Sequence, residues 1–122
     1  MRVAIATKDG WVIYEHFGHC SRYSIVEIEN DSYRFVEFRD VEPPCHGGDH
    51  TMEALLQAAR RLKDCTYVVV GQIGMGAQQI LTEKNLITYV FNGSVEDALS
   101  NIIKMKGRYR DGQEAEANSN IR

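Results

Sequence analysis

Thr66-Tyr67-Val68-Val69-Val70-Gly71-Gln72-Ile73-Gly74-Met75-Gly76 reads as a short apolar strand running into a glycine-rich loop. Apolar, β-branched side chains at successive positions mark a strand buried on both faces, as in the parallel part of an α/β sheet. What flanks this strand sets the fold. Upstream, Met52, Leu55, Leu56, Ala59 and Leu62 recur at helical spacing, and Arg60, Arg61 and Lys63 near the far end suit the helix dipole. Asp49 is placed to cap that helix. Downstream, Ala77 to Lys84 reads as a second helix, Leu86 to Phe91 as a strand, and Val95 to Met105 as a third helix capped by Ser94.

Further upstream, Val41 to Gly48 holds both prolines and a glycine pair, which predicts a rigid loop with no helix or strand of its own. Tyr23 to Glu29 and Tyr33 to Arg39 alternate on either side of Asn30-Asp31-Ser32, a hairpin with Phe35, Glu37 and Arg39 set against Val36 and Phe38. Arg2 to Lys8 reads as a central strand, Lys8-Asp9-Gly10 as a turn, Trp11-Val12-Ile13 as a short extended piece and residues 14 to 21 as a loop. The order is β-β-β-α-β-α-β-α: an α/β fold with a five-stranded mixed sheet flanked by helices. Right-handed crossovers make the last two strands parallel to the first and third. The loops 14–21, 41–49, 71–76 and 91–94 then leave the sheet at one edge, where ligands of open α/β sheets bind.

The chain has 122 residues, 43% hydrophobic and 25% charged, enough for one core without disulfide staples. We expect one domain over residues 1–106 and a flexible polar tail over 107–122, where Asp111-Gly112-Gln113-Glu114 has little to bury. The net charge of -3 argues against a nucleic-acid partner, and Lys104, Lys106, Arg108 and Arg110 read as a solvated helix end. No window approaches the ~20 apolar residues of a membrane span. Met1-Arg2-Val3-Ala4-Ile5-Ala6 enters a strand pattern directly rather than a signal peptide. Three cysteines, an odd number, point to free thiols in a reducing cytoplasm.

All four histidines and two of the three cysteines fall on two of the converging loops: His16, His19 and Cys20 on one, Cys45, His46 and His50 on the other. Imidazole and thiolate bind borderline and soft transition metals. Neither H-x-x-H-C nor C-H-G-G-x-H is a zinc-finger spacing, so topology carries the case for a shared metal or cluster site. Within it, Phe17 reads as a core plug, and Cys45 follows Pro43-Pro44, which restricts its backbone. His50 falls in the first helical turn, where capping competes with ligation. Cys20 is either a ligand or a small buried residue, and Cys65 an inert core thiol. Gly47-Gly48 and Gly74-Met75-Gly76 each lead into a helix and offer backbone N–H groups to an anionic, metal-containing ligand, with Met75 as a soft rim contact.

Catalysis finds little support. There is no G-x-S-x-G elbow, no complete phosphate loop, no H-E-x-x-H and no C-x-x-x-C-x-x-C radical motif. A mononuclear zinc or other transition-metal protein or hydrolase is the alternative, with Glu15 or Asp49 as base. A metal-free module presenting the same rim to a protein partner is a third reading.

His16-Phe17-Gly18-His19 before a strand ending Ile25-Val26-Glu27-Ile28-Glu29 is one element of a familiar set. The others are the Cys45-His46-Gly47-Gly48 loop, Leu62-Lys63-Asp64-Cys65 before Val68-Val69-Val70, and Gly71-x-x-Gly74 with Leu86-Ile87 downstream. Together they resemble the dinitrogenase iron–molybdenum cofactor biosynthesis family, the NifX type and the C-terminal domain of NifB, over about residues 1 to 105. The resemblance implies a ribonuclease-H-like fold. It also implies a protein that binds or carries an iron–sulfur or iron–molybdenum-type cluster precursor, working with other cofactor-assembly proteins rather than catalysing a reaction. Family metal ligation carries over onto His16 and His19, and the Cys45 to His50 segment resembles the cysteine- and glycine-containing loop of the NifB-type domain. Cys20 falls where many relatives have another small residue. The radical-enzyme part of NifB has no counterpart in this sequence.

Overall fold

The computed structural model describes residues 1–13, 15–46 and 49–112, with side chains described for all of these except 46, 49, 50 and 107–112. Nine strands and three helices follow in order among these residues. The strands are β1 (Arg2–Ala6), β2 (Val12–Ile13), β3 (Arg22–Glu29), β4 (Ser32–Asp40), β5 (Cys45–His46), β6 (Asp49–His50), β7 (Tyr67–Val70), β8 (Ile87–Val90) and β9 (Gly93–Ser94). The helices are α1 (Met52–Arg61), α2 (Met75–Glu83) and α3 (Val95–Gly112). Five strands form one mixed sheet in the order β4-β3-β1-β7-β8. β1 is antiparallel to β3 and parallel to β7, and β7 is parallel to β8.

The alternation of side chains across this sheet divides the core in two. Ala4, Ala6, Ile25, Val68 and Val70 face one way and pack with Leu55, Ala58, Leu62 and Leu81 from α1 and α2 and the turn that follows α1. Val3, Ile5, Val26, Ile28 and Val69 face the other way, against Ala98, Leu99 and Ile102 of α3. Val3 to Ala6 are fully buried, as a strand with neighbours on both edges and helices on both faces must be. Asn30, at φ 56°, turns the hairpin between β3 and β4; Asn tolerates the left-handed region that most side chains avoid.

Four expectations are corrected. Thr51, not Asp49, caps α1: its hydroxyl accepts from the Ala54 N–H at 3.1 Å. His50 therefore lies before the helix, in β6. The proline-containing loop is not bare, because β5 and β6 pair as a short antiparallel ladder with Cys45 opposite His50 and His46 opposite Asp49. The β4 strand does not alternate evenly. An extra residue at Val36 shifts its register against β3 between Ile25 and Val26, a β-bulge. Finally, α3 runs past the helix end expected at Met105 to Gly112, while residues 113–122 lie outside the described residues. As expected, Ser94 caps α3, its hydroxyl accepting from the Asp97 N–H at 2.9 Å.

Candidate functional site

The segment after β2 is fastened to the carboxyl end of β7 by main-chain bonds. The Gly71 N–H donates to the Glu15 carbonyl at 2.9 Å, and the Phe17 N–H donates to the Gln72 carbonyl at 2.8 Å. His16 thus lies beside Gln72 as a one-residue parallel extension of the sheet. The Asn92 side-chain amide donates to the Gly71 carbonyl at 3.1 Å, which ties in the loop after β8. Phe17 is 1% exposed and fills the core beneath, so the loop is anchored by burial as well as by hydrogen bonds.

Residues Phe17–His19 then make a single 3-10 turn. Its first free N–H, that of Gly18, donates to the His16 Nδ1 at 2.9 Å. This bond orients the imidazole and places the ring proton of the neutral form on Nε2. A metal binding at Nε2 would need that proton to leave, and a metal binding at Nδ1 would replace the Gly18 bond. The His19 ring follows with its centroid 5.3 Å from that of His16. His16 is half-buried and His19 exposed.

The second loop meets the first at Gly18. A Cβ placed on Gly18 would stand 2.5 Å from the Cys45 Sγ and 3.4 Å from the His16 Cε1, so the thiol and the imidazole crowd the same glycine. Cys45 is a half-buried free thiol. The ladder pairing brings the His50 backbone opposite Cys45 and so toward the same place. Gly47 and Gly48 lie outside the described residues.

Cys20 does not join this group. It is 1% exposed, its thiol donates to the Arg22 carbonyl at 3.1 Å, and burial pushes its pKa up to about 11. The local reason is that the strand begins two residues later, which turns position 20 inward against Tyr23. Cys65 is likewise a core thiol, pushed up to about 12 by burial. Among the described residues, no three His, Cys, Asp or Glu side chains stand ready-made around one metal position.

Gly74-Met75-Gly76 opens α2 at the same edge of the sheet. Gly74 is its N-cap and supplies no side-chain hydrogen bond, leaving the first N–H groups of the helix without a capping side chain. Nothing lies within 4 Å of a Cβ built on Gly74 or Gly76, so packing within the chain does not demand glycine there. Met75 is 87% exposed. A separate cleft of about 700 Å³, bordered by Lys8, Arg22, Asp40 and Glu42, contains none of the imidazoles or thiols in its lining. Sequence reasoning missed the main chain of Gln72 as the seat of His16 and the steric demand on Gly18. The Gly71-x-x-Gly74 spacing was the available signal for the first, and nothing local announced the second.

Against known proteins, the model of the family described as dinitrogenase iron-molybdenum cofactor matches residues 1–105. The FeMo cofactor biosynthesis protein NifB of Herbaspirillum seropedicae is 40% identical over 72 residues, 59% of this chain and 14% of that protein. The protein of the same name from Frankia alni is 31% identical over 103 residues, 82% of this chain and 20% of that protein. The chain thus spans about a fifth or less of the curated relatives it matches. The crystal structure of PH0822 superposes with a TM-score of 0.67 at 21% identity, covering 86% of this chain and 91% of that one, which shows a shared fold.

Proposed function

We propose, from the premise that this chain belongs to the dinitrogenase iron–molybdenum cofactor family, that it is a binding or carrier protein for an iron–sulfur or iron–molybdenum-type cofactor precursor and not an enzyme. The observation that carries this reading is the meeting of Cys45 and His16 over Gly18. Two loops far apart in sequence bring a soft sulfur and a borderline nitrogen donor to one point, a donor pair suited to iron in a sulfide cluster. His19, His46 and His50 are further candidate ligands from the same two loops. Gly74, Met75 and Gly76, with Gly47 and Gly48, are proposed to offer N–H groups to the anionic cluster.

The chain's own contribution is to seat and orient. His16 is fixed by the Gln72 main chain and the Gly18 N–H, and Cys45 by the β5–β6 ladder. A cargo that has to be handed on is better served by a few ligands than by a closed cage, because every added bond slows release. Other cofactor-assembly proteins are the proposed donors and recipients, and the cytoplasm the proposed compartment.

The test is anaerobic reconstitution with iron and sulfide, followed by absorption and EPR spectroscopy with iron and labile-sulfide analysis. Wild-type protein should acquire a cluster spectrum, and a His16→Ala/Cys45→Ala variant should lose most of it. Identical spectra from the two proteins would show that the cluster sits elsewhere. Bound zinc without labile sulfide would replace the cluster by a mononuclear site.

A further inference from the structure

β4 is the outermost strand on its side of the sheet and, at nine residues, the longest strand described. An edge of that length offers a row of backbone N–H and C=O groups to another strand. Its side chains divide by face, aromatic on one and charged on the other. Tyr33, Phe35 and Phe38 stand opposite Ile28, Val26 and Ser24, which puts all three on one face, and they are 44%, 54% and 49% exposed. Phe35 and Phe38 pack edge to face at 4.9 Å, and the Arg22 guanidinium lies 5.4 Å from the centre of the Phe38 ring.

The opposite face of β4 carries charge. Arg34 stands opposite Glu27 and Glu37 opposite Ile25. Residues three apart on a regular strand point to opposite faces, but the extra residue at Val36 brings these two to the same one. Glu37 accepts from Arg39 on Oε2 at 2.6 and 3.0 Å, and no described residue bonds its Oε1.

We infer that two copies of this chain join by antiparallel pairing of their β4 edges about a two-fold axis, with Arg34 of each opposite Glu37 of the other. The same register sets Tyr33 opposite Phe38 of the second copy on the aromatic face. It makes one ten-stranded sheet with a self-complementary contact of the kind two-fold dimers require. The bulge selects the occupant. A regular strand from another protein would lose register at Val36, whereas a second copy carries the same extra residue and keeps its pairs on both sides. This inference stands apart from the cofactor reading and does not depend on it.

Sedimentation equilibrium of the full chain over a range of concentrations tests it. Wild type should show a monomer–dimer equilibrium. Arg34→Glu sets like charges opposite each other, and should raise the dissociation constant about tenfold or more. Arg34→Glu/Glu37→Arg restores opposite signs and should return it to within about threefold of wild type. Circular dichroism confirms that each variant is folded. Because Glu37→Arg also disturbs Arg39, hydrogen exchange on wild type gives a second reading: the Tyr33 and Phe38 amides should slow with rising concentration while those of β8 do not. A monomer at every concentration, a dimer indifferent to Arg34→Glu, or amides of β4 that exchange independently of concentration would overturn the proposal.

Discussion

The Cys45 thiol occupies the space that a side chain on Gly18 would need. Gly18 has no positive φ to require glycine, so the requirement is one of contact between two loops. Gly18→Ala should therefore cost stability only while the thiol is present. We expect a loss of about 1 kcal/mol, at the low end for overpacking because Cys45 can turn about one bond. In a Cys45→Ala background the cost should shrink toward zero, and urea denaturation of the four proteins in the cycle measures the difference.

The three thiols should differ in reactivity. Burial holds Cys20 and Cys65 protonated at neutral pH, with pKa values pushed up to about 11 and about 12. Cys45 is half-buried, the least enclosed of the three. Brief iodoacetamide treatment of the native protein at pH 8 should give one adduct, at Cys45, and treatment in denaturant should give three. Peptide mass spectrometry reads both outcomes, and early modification of Cys20 would show that its inward orientation is mistaken.

Asp64 accepts from the Arg39 Nη1 at 2.6 Å and Nη2 at 3.1 Å, and from the Arg2 Nη1 at 3.1 Å. The Arg39 bonds are the main reason its carboxyl is held down to about 2, against 3.8 for a free one. A depressed folded-state value stabilises the fold above the unfolded value and loses that contribution as pH falls toward the folded one. Asp64→Asn should thus cost about 1 kcal/mol at neutral pH, a figure kept small by solvent screening at an exposed carboxylate. The gap between wild type and variant should narrow between about pH 4 and pH 2, which thermal denaturation across that range would show.

The Thr51 hydroxyl caps α1, and Asp49 precedes it in β6. Thr51→Ala should destabilise the protein by about 1 kcal/mol, while Asp49→Ala should change it by less than half as much. Melting curves of the two variants distinguish the assignments.

The parallel core was legible because Val68-Val69-Val70 and Val3 to Ala6 are apolar at every position, a pattern that only strands covered on both faces sustain. The convergence of the His16 and Cys45 loops followed from strand direction alone. What stayed hidden had local causes. β5 and β6 are two residues each, too short for any period to show. The bulge inserts one residue into a run that still looks alternating, so the shared face of Tyr33, Phe35 and Phe38 was invisible without the β3 register. Cys20 lies between a 3-10 turn and a strand, where the direction of a side chain is set by tertiary packing rather than by spacing. The last turns of α3 lack apolar periodicity, and their helical continuation needs none.

The hydrogen bonds that attach the His16 segment to the sheet run between the peptide groups of Glu15, Phe17, Gly71 and Gln72. The neighbour of the imidazole at position 72 can therefore be exchanged for residues of other size or polarity without loosening the anchor. An engineer wishing to retune what sits beside His16 has there a position whose chemistry and whose scaffolding are separately adjustable.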